Sequence, residues 1–216
     1  MTRALVVAKA PVPGRVKTRL GADVGMRVAA DLAAAALLDT LVACTEAFGT
    51  DRCLLSLDGD LCDAVRGEEI EWALHGWQVA GQRGLDLGER LANAHADVPA
   101  GEPVLQVGMD TPQVRPQDLH DTADALADAD AVLGPADDGG WWVLGLRTPT
   151  DGAALRDVPM STPTTYADTR RALEALGLGV AATVAMRDVD TRADAETVAD
   201  AHPHLRFARA WAEVAR

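Results

Sequence analysis

Met1-Thr2-Arg3-Ala4-Leu5-Val6-Val7-Ala8-Lys9-Ala10-Pro11-Val12-Pro13-Gly14-Arg15-Val16-Lys17-Thr18-Arg19-Leu20 is the stretch whose reading decides the fold. Residues 3–8 form a short apolar run with paired β-branched valines. Pro11, Pro13 and Gly14 cannot continue it, so the run predicts a buried strand that stops at a turn. The whole sequence holds only two lysines, Lys9 and Lys17, and both lie here with Arg15 and Arg19, in a chain of formal net charge -13. A cationic cluster on so acidic a protein points to a small anionic ligand. Phosphate fits best, because a strand-to-loop-to-helix transition leaves backbone N–H groups free at a helix N-terminus while Lys and Arg add charge. A merely solvated basic loop is the alternative, and the prolines oppose it, since they hold the charges in place. The stretch is neither G-x-x-x-x-G-K-[ST] nor G-x-G-x-x-G.

Length and composition set the frame around that loop. At 216 residues and 48% hydrophobic, the chain supports one sizeable core, and residues 1–216 are expected to form a single domain. A pI near 4.7 argues against a nucleic-acid partner, because phosphate backbones are gripped through many Lys and Arg contacts. No apolar stretch is read as a membrane span and the N-terminus enters a strand without a signal-peptide pattern, so the expectation is a soluble, cytoplasmic protein with no membrane partner. Cys44, Cys53 and Cys62 are odd in number and form no C-x-x-C pair, which suits ordinary reduced thiols.

Downstream, strands and helices alternate. Residues 26–48 read as a long helix, with Leu32, Ala36, Leu37, Leu41 and Cys44 on one face. Residues 52–57 read as a strand, 61–65 as a short helix, and 70–79 as a strand with a loop in which His75 is a surface or core residue rather than a ligand. A helix capped by Asp86 runs to residue 96, a central strand spans 103–108, and Pro116 opens a helix to residue 126. Residues 131–135 and the stretch from Trp141 read as strands, 170–176 as a helix and 180–184 as a late strand. Thr191 caps the next helix, and 202–216 close the chain as another. This alternation predicts a three-layer α/β/α sandwich with a mostly parallel sheet.

Three acidic clusters punctuate the pattern: Asp110, the pair Asp137-Asp138 before Gly139-Gly140, and Asp188 with Asp190. Each follows a strand or sits at a strand-to-helix junction, where open α/β sheets bind ligands. Carboxylates gathered there with the Lys17 loop suit Mg²⁺ or Mn²⁺, which prefer oxygen ligands and keep positions open for phosphate oxygens. Each cluster also has a plain structural reading as a helix cap or a solvated turn.

Residues 8–20, ending in Lys-Thr-Arg-Leu, resemble the opening signature of a small bacterial family of GT-A-fold glycosyltransferases, some labelled arsenosugar-biosynthesis glycosyltransferases. This family lies within the nucleotide-diphospho-sugar transferase superfamily. The ending is also similar to the nucleotide-gripping loop of sugar-phosphate nucleotidyltransferases and of 2-phospho-L-lactate guanylyltransferase. The resemblance continues through Asp86-Leu87-Gly88-Glu89-Arg90, Gly108-Met109-Asp110-Thr111-Pro112, Asp137-Asp138-Gly139-Gly140 and Asp188-Val189-Asp190-Thr191. It implies a Rossmann-like GT-A fold and a metal-dependent glycosyltransferase that takes a nucleotide-sugar and a small-molecule acceptor. In that reading Ala8, Lys9, Pro13, Gly14, Arg15, Lys17 and Arg19 hold the nucleotide, and Asp110, Asp188 and Asp190 hold Mg²⁺ or Mn²⁺. Asp86, Glu89, Asp137, Asp138, Gly139 and Gly140 line the sugar or acceptor pocket, with Lys17, Asp110 and Asp138 as catalytic groups. Met160 and Trp141-Trp142 depart from the family's usual Trp and Tyr-containing pair. Two other functions fit the same residues: a nucleotidyltransferase joining an NTP to a phosphorylated small molecule, and a non-catalytic nucleotide-sugar-binding regulator.

Overall fold

A computed structural model describes residues 1–214. Seven strands form one sheet: β1 (Arg3–Lys9), β2 (Cys53–Asp58), β3 (Gln78–Gly81), β4 (Val104–Gly108), β5 (Ala131–Pro135), β6 (Trp141–Leu146) and β7 (Val180–Ala182), in the order β3-β2-β1-β4-β6-β5-β7. Every pairing is parallel except those of β6, which runs antiparallel to both β4 and β5. β1 lies between β2 and β4, with Leu5 opposite both Leu54 and Gln106. The stretch quoted at the outset therefore begins in the middle of the sheet, and its loop emerges at the carboxyl end of the parallel strands. The expected three-layer α/β architecture with a mostly parallel sheet is the observed one.

Helix α1 (Thr18–Val24) is followed by the long helix α2 (Met26–Phe48), which occupies the span that its sequence predicted. α2 is apolar almost all round because it is covered on two sides. Ala30, Ala34, Leu37 and Leu41 pack in the cluster that reaches the sheet, while Ala29, Leu32 and Ala36 pack with Phe207 and Trp211. By length and composition alone α2 is apolar enough to cross a membrane, which corrects the expectation that no stretch is; 78% of its most apolar window is buried inside the fold. The opposite sheet face carries α4 (Leu87–Ala96), a 3-10 segment (Pro149–Asp157) and α6 (Thr165–Ala175) through Leu91, Leu155 and Leu173. α5 (Pro116–Ala125) joins the α2 layer, and α7 (Arg192–Ala201) and α8 (Arg206–Val214) cover the outside of α2.

The strand expected over residues 70–79 is a helix instead. α3 (Gly67–Ala73) takes Ile70 and Trp72, and only Gln78 onward joins the sheet as an edge strand. Glu68 and Glu69 in its first turn favour a helix start, and burial of Ile70 fixes it; Trp72 remains 82% exposed. His75 is exposed, as expected of a surface residue. The final helix reaches Val214, so residues 215–216 of the expected terminal helix lie outside the described residues.

Candidate active site: a cationic chamber joined to an acidic one

The loop after β1 is shaped by two left-handed residues. Gly14 has φ +81°, and Lys17 has φ 46° and ψ 44°, which costs an L side chain roughly 1 kcal/mol. This conformation places Lys17 at the entrance of α1 with its side chain turned inward, only 8% exposed. Its Nζ lies 2.6 Å from Asp110 Oδ1 and 2.8 Å from Asp190 Oδ1. Burial alone would pull the ammonium pKa down; Asp110 and Asp190 outweigh it and hold it above the ordinary value, so Lys17 stays charged.

Asp110 stands just past the end of β4, and Asp190 belongs to the segment that leads into α7. The backbone joins the two, since Val189 N donates to Asp110 O at 2.9 Å. Thr191 then caps α7 in a reciprocal pair with Asp194, which fixes the residue next to Asp190. Arg19 adds a second, exposed cation, with Nη1 3.7 Å from Asp190 Oδ2.

Two cavities meet at this point. The first, about 570 Å³, is lined by Ala8, Lys9, Arg15, Lys17, Arg19 and Arg90 together with Asp86, Asp110 and Asp190. Gln82 braces its wall by donating from Nε2 to Ala8 O and Ser56 O at 3.0 and 3.1 Å. The second, about 490 Å³, is lined by Asp110, Asp138, Asp188 and Asp190, with Arg19 as its one cation among the described residues. Trp141, Leu91 and Met160 give it apolar walls, and Gln106 lies among its lining residues. Val7, Leu87, Arg19, Asp110, Ser161 and Asp190 line both, so the two are chambers of one cleft. Ser161 has φ 58°, a second strained non-glycine residue at the same place.

The acidic chamber is electrostatically crowded. Burial pushes the Asp188 carboxyl up to about 6, and the negative charges of Asp138, Asp190 and Asp110 add to it. Asp138 Oδ1 accepts the Gly140 N–H at 2.7 Å, and Gly139, at φ +91°, lets the turn pass against Pro163, whose carbonyl would meet any added Cβ at 2.2 Å.

The structure brings together most residues that the sequence singled out. Ala8, Lys9, Arg15, Lys17, Arg19 and Asp86 line the first chamber, Asp138, Gly140 and Asp188 the second, and Asp110 and Asp190 both. Pro13, Gly14, Glu89, Asp137 and Gly139 line neither. Glu89 accepts the Leu85 N–H at 2.8 Å while Asp86 accepts the Glu89 N–H, a cap at the start of α4. Asp137 pairs with Arg187 at 2.8 Å. Sequence reasoning missed Gln106 and His95. The available signal was a polar residue at the centre of the apolar run Val104-Leu105-Gln106-Val107.

Among the described residues, no group of three or more His, Cys, Asp and Glu side chains is arranged to hold a metal ion by itself. Mg²⁺ and Mn²⁺ need less when a phosphate completes the shell, because one or two carboxylates then suffice. Asp110 and Asp190 are donors of that kind, two hard carboxylate oxygens that lie 2.6 and 2.8 Å from a single cationic atom, the Lys17 ammonium.

The chain matches, over residues 30–162, the model of a family described as an uncharacterized protein conserved in bacteria, DUF2064. The chain belongs to the DUF2064 family. The matched span contains Asp110 and Asp138, and the Lys17 loop and the Asp188-Asp190 segment lie outside it. No curated protein matches. Among solved structures, a protein of Desulfovibrio desulfuricans G20 described as a candidate nucleotide-diphospho-sugar transferase is 25% identical with a TM-score of 0.80, covering 98% of this chain and 94% of its own. Rv0371C of Mycobacterium tuberculosis H37Rv, solved with manganese, is 18% identical with a TM-score of 0.57 over 92% of this chain and 98% of its own. The 4-diphosphocytidyl-2C-methyl-D-erythritol synthase of Anaerococcus prevotii DSM 20548 is 13% identical with a TM-score of 0.57, over 89% and 94%. This DUF2064 chain thus has the Rossmann-like α/β fold of the nucleotide-diphospho-sugar transferases.

Proposed function

We propose that this protein is a metal-dependent glycosyltransferase that takes a nucleotide-activated sugar, with the nucleoside diphosphate in the cationic chamber and the sugar and acceptor in the acidic one. The observation that carries this reading is the division of charge along the cleft. Lys9, Arg15, Lys17, Arg19 and Arg90 line one end, and Asp138 and Asp188 line the other, with Asp110 and Asp190 between them. A diphosphate is attracted to the first end. A phosphorylated second substrate is repelled by the other, where Asp188 already resists ionising. An uncharged hydroxyl compound meets no such penalty.

In this reading Lys17 and Arg15 hold the diphosphate and stabilise the charge it gains as it leaves. Asp138 accepts the proton of the acceptor hydroxyl, whose oxygen bonds to the anomeric carbon while the bond from that carbon to the diphosphate oxygen breaks and its electron pair departs with the nucleotide. Asp110 and Asp190, with Asp188 beside them, are the carboxylates for Mg²⁺ or Mn²⁺, which when bound supplies positive charge to the phosphate oxygens. The manganese held by Rv0371C and the description of the Desulfovibrio protein support the metal and the nucleotide-sugar as the chemistry to test.

The rival is nucleotidyl transfer from an NTP to a phosphorylated compound, favoured by the cations that line the first chamber, Lys9, Arg15, Lys17, Arg19 and Arg90, which also suit a triphosphate. Thermal unfolding with nucleoside di- and triphosphates and nucleotide-sugars, each with Mg²⁺ or Mn²⁺ and again with EDTA, tests both. A ligand at a hundred times its dissociation constant raises stability by about 2.7 kcal/mol. A metal-dependent shift with a nucleotide-sugar and release of free nucleoside diphosphate on turnover is the expected result. A shift with triphosphates alone and release of pyrophosphate overturns it in favour of the rival, and ligand shifts unaffected by EDTA, with no product, would leave a binding protein.

A further inference from the structure

Gln106 stands at the middle of β4, in the centre of the sheet, and is 2% exposed, yet it lines the acidic chamber. A polar side chain this deep in a core strand needs partners for both ends of its amide. One end has a partner: Gln106 Oε1 lies 2.8 Å from Nε2 of His95, a fully buried residue of α4. The other end, Nε2, has no hydrogen-bond partner among the described residues.

The orientation of the pair follows from what is left over. His95 Nδ1 is buried without a partner. Were it the protonated nitrogen, a buried N–H would be orphaned, which is rarer in proteins than an orphaned acceptor. The proton therefore sits on His95 Nε2 and is donated to Gln106 Oε1, leaving the amide NH₂ of Gln106 for the chamber. The imidazole stays neutral, since burial lowers its pKa to about 4. Packing holds the donor itself still: Gly152 lies so close to His95 that a Cβ there would meet the His95 Cβ at 2.5 Å.

We propose that the amide N–H of Gln106, held in orientation by His95, is the floor donor that recognises a hydroxyl oxygen of the sugar in the acidic chamber. This rests on the nucleotide-sugar reading of the cleft and adds its specificity element. The chemistry that fits is an uncharged hydroxyl, which accepts from Gln106 and donates its own proton to a carboxylate such as Asp138 or Asp188. An anionic phosphate or carboxylate group would find this donor surrounded by negative charge. Gln106 is a binding residue and His95 a positioning residue that acts through it.

The test compares the affinity of matched pairs, UDP with UDP-glucose, GDP with GDP-mannose and ADP with ADP-glucose, by calorimetry with Mn²⁺ present. The wild-type protein is expected to bind one nucleotide-sugar more tightly than its nucleoside diphosphate. Gln106→Leu is expected to lose about tenfold of that advantage while leaving nucleoside diphosphate affinity unchanged, as removal of a donor from a buried hydroxyl predicts. Gln106→Met keeps the length, leaves a weak acceptor for His95, removes the donor without adding a charge and should show the same loss, which covers a failure of the leucine variant to fold. For His95, His95→Gln retains a donor toward Gln106 and should retain the advantage, whereas His95→Leu should lose it. A preserved nucleotide-sugar advantage in both Gln106 variants overturns the proposal and leaves the proposed function standing. Absence of binding by every nucleotide probe to the wild-type protein overturns both.

Discussion

Lys17 concentrates the design of the cleft in one residue. Its left-handed backbone and inward ammonium are opposing demands, because glycine suits the backbone while only a long cation reaches Asp110 and Asp190. Comparing two variants that both lack the charge separates them. Lys17→Gly should be more stable than Lys17→Ala by about 0.5–1 kcal/mol in urea unfolding, the reverse of the usual order, because alanine retains the strain that glycine relieves. Both should lose nucleoside diphosphate affinity at least about tenfold, as loss of a charge-assisted contact requires. Equal stability of the two variants would contradict the strained geometry.

His95 makes a second prediction at this scale. Its folded pKa of about 4 lies below the ordinary value near 6.5, so between those values the unfolded chain binds more protons and stability falls as pH is lowered. Asp188 acts in the opposite sense: its folded pKa of about 6 lies above the ordinary 3.8, so the folded chain binds the extra proton there and stability falls as pH rises. His95→Gln isolates the first effect. The stability advantage of the wild type over this variant should shrink by about 2 kcal/mol between pH 7 and pH 5, read from denaturant midpoints at each pH. A constant difference would mean that His95 is accessible to protons in the folded protein.

At the scale of elements, α8 is held by a residue of another helix. Asp39 of α2 is buried and accepts N–H groups of Arg206 and Phe207 at 3.1 and 2.9 Å, covering the start of α8. Asp39→Ala leaves those N–H groups without partners and should destabilise the protein by about 1–3 kcal/mol. Asp39→Asn, which keeps one acceptor oxygen, should cost less. Calorimetric unfolding of the two variants checks the order.

Elements also show where local sequence was a sufficient guide. α2 has no proline, no internal glycine and apolar residues on every side, so its boundaries could be read directly; Gly25 and Gly49 flank it. Residues 70–79 misled because Ile70, Trp72, Trp77 and Val79 are β-branched or aromatic, the residue types that strands favour. What decided their state was the pocket that buries Ile70 and the hydrogen bond from Trp77 Nε1 to Thr45 at 3.0 Å, both supplied by other parts of the chain. α1 was hidden for a similar reason, since its start depends on a left-handed lysine that no propensity favours.

For the molecule as a whole, the relevant quantity is a charge distribution that the net charge of -13 conceals. The cationic chamber is a local reversal, and its attraction for phosphate is screened by salt. Nucleoside diphosphate affinity should fall steeply between about 50 mM and 500 mM salt, while binding of an uncharged acceptor analogue in the acidic chamber should change little. Titrations at the two salt levels distinguish this from a site held by hydrogen bonds alone.

The sequence by itself determined the α/β class, the strand that begins the site, the cationic loop, and the carboxylates at the ends of strands and the starts of helices. These are encoded over a few residues each, in apolar runs, turn residues and caps. Only the tertiary structure decided which of them meet. Lys17 and Asp190 are 173 positions apart, and their contact exists because β1 and β4 are neighbours in the sheet and Val189 bonds to Asp110. The same holds for Gln106 and His95, where a core strand and the helix covering it must pack before the amide has an orientation. Pairings across the sheet and between layers depend on which surfaces come to share a core, and that is a property of the whole chain rather than of any stretch of it.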